Sequence, residues 1–459
     1  MDGALWRGHG ARRRGCQLTR PLRDLLVEGE AFQGYAYAYP HKTAYRQLDP
    51  ARPLRQAWDH EDKHALFLYA HVPFCEMRCG FCNLFTMTHA GANLVTAYLD
   101  ALTRQAEAVA DALGASAQFA RIALGGGTPT FLTVAELERL FGVLSKNFQA
   151  SEAGIPKAIE ASPATLDEEK IALLKTRQFT RVSLGVQSFL EAEVKALGRS
   201  QRTSDVRKAL AALTAANFAC VNIDLIYGIA GQTVESWKCS LAEALEFAPQ
   251  EIYLYPLYVR PLTHLGQKEQ RGTDDRMNLY RSGRDFLLNR GYHQVSMRLF
   301  RHASYAPLEG PVYCCQEDGM VGIGAGARSY TTALHYSTDF AVGRPGVLEV
   351  ITDFNLRTHN QFAFADYGCE LDLNEQKRRY VLKSLLRRDG LDCARYCASF
   401  FAEVLFDFPQ LDELVDEGLA SQNGDHLRLT SAGLGLSDVI GPWLWSSAMR
   451  EKMNEFALR

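Results

Sequence analysis

Three cysteines stand close together in the run Tyr69-Ala-His-Val-Pro-Phe-Cys75-Glu-Met-Arg-Cys79-Gly-Phe-Cys82. Their C-x3-C-x2-C spacing puts all three thiolates on one short loop. Soft sulfur ligands suit iron, and ligands this close together can bind three irons of a single [4Fe-4S] cluster. The fourth iron then stays open to a small ligand that carries amino and carboxylate groups. The spacing therefore predicts a reducible cluster with one open position, held by Cys75, Cys79 and Cys82.

Two other interpretations of these cysteines are open at this point. Zinc sites usually close with a fourth Cys or His at similar spacing, and His71 and His89 flank the loop. The cysteines could also be buried thiols that hold no metal. The triplet favours the cluster, and the segments around it have to confirm that hypothesis.

The composition restricts the class of protein. A chain of 459 residues with 47% hydrophobic and 22% charged residues can bury a large core, and its length predicts two or three domains. The formal net charge of −3 does not favour nucleic acid or an anionic membrane as a partner. No run of about 18 apolar residues predicts a membrane span. Apart from the triplet, the eleven cysteines are scattered, which is typical of a reducing cytoplasm.

The first 23 residues contain six arginines, one tryptophan and little apolar periodicity. A transit peptide could have this composition. Because Asp2 and several glycines weaken an amphipathic helix, the favoured interpretation is a solvated tail of a cytoplasmic protein.

From residue 66 onward, short apolar runs alternate with helix-like segments, which predicts βα units that carry a parallel sheet. Capping boxes at Thr133 with Glu136 and at Thr165 with Glu168 are expected to start two of the helices. The cysteine loop follows the first strand, at the end where barrels of βα units assemble their active sites. The fold class is therefore predicted to be α/β, a partial (β/α) barrel. Its six expected strands cover residues 66–71, 121–124, 158–161, 181–186, 220–226 and 251–257.

Beyond about residue 350 this alternation stops. A helix is expected at 375–387 and a second at 408–418, and Asn423-Gly424 between strand-like runs favours a tight hairpin. A helix followed by such a hairpin resembles a winged-helix element, for which a packing or lid role is favoured. The predicted domains are an N-terminal extension at 1–60, the barrel at 61–350 and a winged-helix-like domain at 351–459.

From Tyr39 to Leu444 the chain resembles the oxygen-independent coproporphyrinogen III oxidase family of radical S-adenosylmethionine (SAM) proteins. This family also includes bacterial haem chaperones and a group of C-methyltransferases and cyclopropanases. The resemblance rests first on Tyr69, on the run His-Val-Pro-Phe before Cys75, and on Phe81 before the third cysteine. It implies that the open iron of the cluster binds SAM and that Tyr69 and Phe81 border both. Reduction of the cluster would then cleave SAM to a 5′-deoxyadenosyl radical.

Further motifs are similar to the SAM-binding segments of that family. The turn Gly125-Gly126-Gly127-Thr128-Pro129 follows the second expected strand, and glycine lets a backbone approach a ligand closely. A guanidinium fork at Arg199 suits the SAM carboxylate, and Tyr69 and Arg199 are the expected catalytic residues. Without the resemblance, each of these would be a structural turn or a satisfied polar residue. The SAM contacts that the resemblance implies are Gly126, Gly127, Thr128, Glu160, Gln187, Arg199, Asp224 and, in the loop that closes over the site, Arg328.

The chain also departs from this family. The coproporphyrinogen oxidases carry a fourth cysteine two residues beyond the triplet, where this chain has Leu84. Haem chaperones carry a His-Asn-x-x-Tyr-Trp run between positions that correspond to 301 and 319, where this chain has only His302. The runs 35–42, rich in tyrosine, and 82–86 indicate a distinct branch.

The sequence is thus interpreted as a cytoplasmic radical SAM enzyme with a [4Fe-4S] cluster and one or two SAM molecules. Its expected partners are a small-molecule or tetrapyrrole-like substrate and a low-potential electron donor of the flavodoxin or ferredoxin type. The outcome at the substrate is open between methylation, oxidative decarboxylation and ring formation. Two alternatives are a haem chaperone without substrate turnover and a barrel with a purely structural cluster.

Overall fold

The computed structural model describes residues 20–29, 31–150, 154–267, 274–305 and 312–457. The predictions for the arginine-rich start of the chain fall mostly on residues 1–19 and lie outside the described residues.

The strands of the described residues form one large sheet, a small three-stranded sheet and a two-stranded pair. In chain order they are β1 Arg46–Pro53, β2 Leu66–Val72, β3 Phe74–Cys75, β4 Met87–Thr88, β5 Phe119–Gly126, β6 Lys157–Ala161, β7 Arg181–Gln187, β8 Cys220–Tyr227, β9 Glu251–Pro256, β10 Tyr292–Gln294, β11 Leu299–His302, β12 Met320–Ile323, β13 Arg328–Tyr330, β14 Leu334–Ser337, β15 Phe364–Glu370, β16 Leu391–Asp392, β17 Ala420–Asn423 and β18 His426–Leu429.

The α-helices alternate with the strands up to β9 and dominate the C-terminal part of the chain. They are α1 Leu22–Val27, α2 Leu54–Asp59, α3 Ala92–Leu113, α4 Val134–Phe148, α5 Glu168–Thr176, α6 Glu191–Ala196, α7 Thr203–Ala215, α8 Val234–Leu245, α9 Arg276–Leu288, α10 Arg344–Leu356, α11 His359–Phe362, α12 Leu373–Leu385, α13 Cys393–Phe400, α14 Val404–Asp407, α15 Leu411–Asp416, α16 Ser431–Gly435, α17 Ser437–Trp443 and α18 Ser447–Asn454.

The large sheet has the order β1-β15-β14-β13-β12-β2-β5-β6-β7-β8-β9-β11-β10. Its middle, from β12 to β9, is parallel, and antiparallel strands flank it on both sides. Because βα crossovers place helices against a parallel sheet, one face of these strands packs in the main hydrophobic core. The expectation of a partial (β/α) barrel is confirmed.

All six expected strands are present, each within a few residues of its predicted range. The capping box of Thr133 and Glu136 is also present, since each side chain accepts from the backbone N–H of the other residue. The box expected at Thr165 is wrong. Thr165 ends a 3-10 turn, and Asp167 caps α5 by accepting from the backbone N–H of Lys170. An aspartate nearer to the helix accepts the same kind of free amide, so Thr165 is not needed there.

The C-terminal part contains the expected helix α12 and the hairpin of β17 and β18, which turns at Gly424 with φ of 57°. A third short strand, β16, completes the small sheet and gives a winged-helix-like arrangement. A separate hydrophobic cluster holds this part together with residues of the N-terminal segment such as Leu22 and Tyr39. Along the chain, the last strand to join the large sheet is β15, which lies beyond residue 350. The predicted division into three domains stays a prediction.

Within the described ranges, no helix is both long and apolar enough to cross a membrane.

Candidate active site

The cysteine loop leaves the carboxyl end of β2 and is fixed to neighbouring segments at several points. Cys75 belongs to β3, which pairs with β4. Gly80 donates its backbone N–H to the carbonyl of Leu197 at 2.9 Å, and its own carbonyl accepts from the N–H of Leu265 at 2.9 Å. An added Cβ at Gly80 would stand 2.8 Å from the Leu197 oxygen, so this approach requires glycine. The loop is therefore held in place before any ligand binds.

Each sulfur of the triplet has a polar partner from a different segment. Thr128 lies with its hydroxyl 3.3 Å from the sulfur of Cys75, and Arg199 donates to the sulfur of Cys79 at 3.0 Å. Thr86 lies with its hydroxyl 3.9 Å from the sulfur of Cys82. Donors to sulfur stabilise thiolates and tune the potential of an iron–sulfur cluster. This is the polar surrounding that cluster ligands need.

The three thiols are half-buried and close enough to influence one another. Burial raises the pKa of Cys75 to about 12, and the nearby charges of Cys82, Glu76 and Cys79 act in the same direction. Burial also raises the pKa of Cys79. A metal-free loop therefore keeps the thiols of Cys75 and Cys79 protonated, and cluster assembly must release those protons.

His71, which the sequence left open as a zinc ligand, has both ring nitrogens engaged. Nε2 donates to the carbonyl of Phe85 at 3.2 Å, since a carbonyl can only accept, and Nδ1 lies 3.3 Å from the hydroxyl of Tyr69. Burial lowers the pKa of His71 to about 4, so the ring is neutral. Across the described part of the chain, no three His, Cys, Asp or Glu side chains converge on one point. Thiolates that bind three different irons do not need to converge in that way.

The glycine turn after β5 lies directly against the cysteine loop. The backbone N–H of Gly127 donates to the Val72 carbonyl and that of Thr128 to the Phe74 carbonyl, both at 2.8 Å. Gly126 has φ of 115°, and an added Cβ would lie 2.5 Å from the His71 ring. At Gly127 an added Cβ would lie 2.6 Å from the Phe74 oxygen and 3.0 Å from the Cys75 sulfur. Only glycine permits this contact with the cysteine loop, whereas the predicted approach of the turn to SAM stays a prediction.

The other face of the parallel strands carries half-exposed and exposed residues, most of them two positions apart. This period of two matches side chains that point into the concave side of the sheet, opposite the helix-covered core. Such a lumen gives a small molecule access to the cysteine loop at the carboxyl ends of the strands. The half-exposed or exposed members are Phe67 and Tyr69 on β2, Ala158 and Glu160 on β6, Gly185 and Gln187 on β7, Asp224 on β8, and Tyr253 and Tyr255 on β9.

Two carboxylates face this lumen without an arginine or lysine partner among the described residues. Glu160 accepts from the backbone N–H of Gly126 at 3.0 Å, and Asp224 accepts from the side chain of Asn222 at 2.8 Å. Poor hydration in the concave lumen raises the pKa of Glu160 to about 7, and that of Asp224 to about 6. Carboxylates kept in this state are suited to accept from the ammonium group or the hydroxyls of a bound ligand.

Gln187 ends β7 with an unusual backbone. Its φ is 70°, and the pairing of β7 with β8 shifts register between Gly185 and Gln187. A left-handed backbone in a non-glycine residue costs free energy and persists where the surroundings impose it, which is frequent at functional sites. The bulge turns the Gln187 amide back over Gly185, whose added Cβ would lie 3.0 Å from it.

Tyr69, Phe81 and Arg199 surround the loop from three sides. The charge of Glu160 and burial both raise the pKa of Tyr69, so its hydroxyl stays protonated. Phe81 packs against a small apolar cluster that includes Leu197. Arg199 donates to Gly185 O at 2.9 Å and to Gln201 at 2.8 Å besides Cys79, so its fork is already engaged. The structure thus brings Arg199 to the cluster loop, in contact with a cysteine ligand.

Arg328 lies on β13 beside the lumen, where the nearest groups that influence it are tyrosines, including Tyr45 and Tyr69. The sequence placed it at the site but missed its neighbour Lys42, whose ammonium lies 3.4 Å from the centroid of the Phe340 ring. Lys42 senses the charges of both Arg328 and Cys82. Only the unusual run at 35–42 could have indicated a role for Lys42, because Lys42 is 33 residues from Cys75, the first cysteine of the triplet.

The residues present fit a [4Fe-4S] cluster with SAM. Three soft thiolates have separate polar partners, and the glycines let the turn pack directly against the cysteine loop. Two carboxylates without basic partners among the described residues can receive the cationic groups of SAM. Cys75, Cys79 and Cys82 would hold the cluster, and Glu160 and Asp224 are placed on the side of the lumen that SAM would use.

Both departures from the family have a structural counterpart. Leu84, which stands in place of the fourth cysteine of the oxidases, is exposed. His302 ends β11, whose Arg301 pairs with Glu251 at the first residue of β9. His302 therefore lies near the amino ends of the parallel strands, whereas the cysteine loop lies at their carboxyl ends.

Comparison with known proteins shows which families the chain is similar to. Residues 69–242 match the family model described as the radical SAM superfamily. The chain is 26% identical over 434 residues to the oxygen-independent coproporphyrinogen III oxidase of Escherichia coli, with 89% of this chain and 92% of the oxidase covered. It is 29% identical over 274 residues to the haem chaperone HemW of Lactococcus lactis, with 58% of this chain and 70% of the chaperone covered.

Among solved structures, coproporphyrinogen III oxidase (HemN) of Escherichia coli superposes with a TM-score of 0.74 at 22% identity. The match covers 92% of this chain and 98% of the oxidase, so the two share a fold over nearly their whole length.

Proposed function

Since the chain is a radical SAM protein that resembles coproporphyrinogen III oxidases and haem chaperones, we propose that it is a radical SAM enzyme acting on an organic small molecule. A [4Fe-4S] cluster and SAM are the cofactors of this family, and when bound they supply a primary-carbon radical after one-electron reduction. We further propose a cytoplasmic enzyme with a low-potential flavodoxin- or ferredoxin-type donor. Its substrate is a small or tetrapyrrole-like molecule that is methylated, oxidatively decarboxylated or cyclised.

One observation carries the proposal: a single turn joins the cysteine loop to a carboxylate of the lumen. Gly126 donates to Glu160, and two residues later Thr128 contacts the sulfur of Cys75. A ligand that contacts Glu160 is thereby held beside the cysteine loop. A structural cluster would not need an accessible carboxylate at that place.

The residues of the chain have separable roles in this proposal. Glu160 and Asp224 accept from the polar groups of SAM and orient it. Arg199, Thr128 and Thr86 stabilise the negative charge on the three sulfurs. The protonated Tyr69 hydroxyl borders the lumen at the base of the cysteine loop, and the helix-covered sheet excludes water and oxygen from one side.

The test is SAM turnover by anaerobically reconstituted protein with dithionite, measured as 5′-deoxyadenosine and S-adenosylhomocysteine. Wild type is compared with Cys79→Ala and with the matched control Cys239→Ala, which removes an exposed cysteine on α8. We expect 5′-deoxyadenosine from wild type and Cys239→Ala but not from Cys79→Ala. Accompanying S-adenosylhomocysteine would indicate methyl transfer from a second SAM.

If wild type forms neither product although it binds its cluster and SAM, enzyme function is refuted under these conditions. Titration with haem then tests the chaperone function, for which stoichiometric haem binding with a stable Soret band is the expected result. The position of His302 on the far edge of the sheet argues against the family's haem-binding run as the route.

A further inference from the structure

Three basic side chains surround one aromatic ring at the side of the lumen that lies away from Glu160. The ring belongs to Tyr330 on β13. The guanidinium carbons of Arg328 and Arg379 lie 5.7 and 5.8 Å from its centroid, and the ammonium nitrogen of Lys383 lies 6.0 Å from it. Arg328 comes from the barrel, whereas Arg379 and Lys383 come from α12 of the C-terminal part.

Within the described part of the chain, none of the three members of this basic cluster, Arg328, Arg379 and Lys383, forms an ion pair with a carboxylate. Arg379 donates to the backbone carbonyls of Gln316 and Cys315, which carry no net charge, and its buried Nε has no acceptor. Glu61 senses the charge of Arg379 but accepts from Thr332. Among the residues that the structure describes, no carboxylate is within ion-pair distance of Arg328 or Lys383.

Burial and like charges both disfavour the charged form of a lysine, and both act on Lys383. Burial and the charges of Arg379 and Arg328 lower the pKa of Lys383 to about 8. Buried charges in proteins are normally paired, so an unpaired group of this kind is a candidate binding site for an anion. Lys383 is half-buried and not fully enclosed, so part of its side chain is in contact with solvent.

The basic cluster is connected to the cysteine loop through Arg328. Arg328 lies on β13, and β12 joins β13 to β2, the strand that leads into the cysteine loop. An anion bound between Lys383 and Arg328 would therefore lie against the same part of the sheet as the cysteine loop.

We propose that Lys383, together with Arg328, binds an anionic oxygen group of the substrate, so that α12 of the C-terminal part is a specificity-determining wall of the lumen. The identification of the anion as part of a substrate rests on the proposed function. Anion binding at Lys383 can be measured whether or not the protein turns over SAM. Lys383 is a positioning residue in this proposal because it is not among the groups at the cysteine loop. The anionic group is a carboxylate or a phosphate, and the two are separated by the probes below.

The first experiment measures the rate at which an amine-reactive reagent modifies Lys383 in anaerobically reconstituted protein, by peptide mass spectrometry. The probes are glutarate, inorganic phosphate and the uncharged diamide glutaramide. We expect glutarate or phosphate to slow the modification about threefold or more and glutaramide to have no effect. Lys146, an exposed lysine on α4, is the internal control and should react equally in every sample.

The second experiment uses variants and keeps the proposal testable if one of them folds poorly. Arg328→Gln should remove the protection of Lys383, because one of the two cations is lost. Lys383→Met should weaken calorimetric binding of the protecting anion about tenfold or more, while Lys383→Arg should keep it. Circular dichroism checks the fold of each variant.

Equal reaction of Lys383 with and without both anions would overturn the proposal, and so would unchanged anion binding by Lys383→Met. If glutarate protects and phosphate does not, the substrate group is a carboxylate, and the reverse result identifies a phosphate. Formation of 5′-deoxyadenosine without any anion protection would refute this inference while leaving the proposed function intact. Protection of Lys383 by an anion without SAM cleavage would support this inference and count against the proposed function.

Discussion

A fully buried ion pair joins the C-terminal part to the barrel, and Asp438→Ala removes one partner of it. Arg298 follows β10 and is 3% exposed, Asp438 lies on α17 with no exposure, and their side chains are 2.5 Å apart. The hydroxyl of Tyr258 also donates to Asp438 at 2.5 Å. The backbone carbonyl of Asp438 accepts from Gln33 and Gly34 of the N-terminal segment at 3.2 Å each. One residue thus connects three parts of the chain.

The expected cost follows from what remains after the substitution. A guanidinium left buried without its carboxylate costs about 3–5 kcal/mol of stability. Loss of the Tyr258 hydrogen bond contributes about 1 kcal/mol more, within the spread of the first term. Exposed Asp416→Ala on α15 should change stability by less than about 0.5 kcal/mol and is the matched control.

The assay is urea unfolding followed by tryptophan fluorescence, since Trp443 and Trp445 lie close to Asp438 in sequence and report on the same part. We expect the free energy of unfolding to fall by about 3–5 kcal/mol in Asp438→Ala. The double variant Asp438→Ala with Arg298→Met should recover most of this loss, because it leaves no unpaired charge. A loss below about 1 kcal/mol, or a double variant no more stable than the single one, would refute the reasoning.

Two further predictions concern the site. Gly126→Ala places a Cβ 2.5 Å from the His71 ring at a φ of 115°, so SAM binding should weaken about tenfold or more in an anaerobic dialysis assay. The control is Gly142→Ala, where an added Cβ has no neighbour within 4 Å, and this variant should bind SAM normally in the same assay. The raised pKa of Glu160, about 7, means that its carboxylate forms as the pH rises through that value and is lost below it. SAM affinity should therefore increase between about pH 6 and pH 8, and Glu160→Gln should remove that increase. If Glu160→Gln shows the same pH dependence of SAM affinity as wild type, the role of Glu160 is contradicted.

The fold was largely predictable because its signal is local. Apolar runs at strand spacing alternate with helical segments, and this pattern indicated the parallel strands within a few residues of their observed ends. The antiparallel strands β13, β14 and β15 were not predicted. They are short and pair with partners distant in sequence, as β1 does with β15, so their stability comes from the sheet and not from local propensity.

The capping of α5 shows the same limit on a smaller scale. Thr165 and Glu168 have the spacing of a capping box, but Asp167 stands closer to the helix and takes the position. Two residues competed for one role, and only the backbone conformation selected between them.

The amino-acid sequence was enough to predict the candidate site: three thiols on one loop, a glycine turn after the next strand, and polar residues at the ends of apolar strands. These features depend on residue types and short spacings, which the chain carries without folding. Tertiary structure alone decided which donors serve the sulfurs, since Thr128 and Arg199 lie 53 and 120 residues from the cysteines that they contact. It also brought Lys383, which is 55 residues beyond Arg328 in sequence, to the same Tyr330 ring. Contacts between residues so far apart in sequence depend on how strands and helices pack, and the free energy of that packing depends on several segments together.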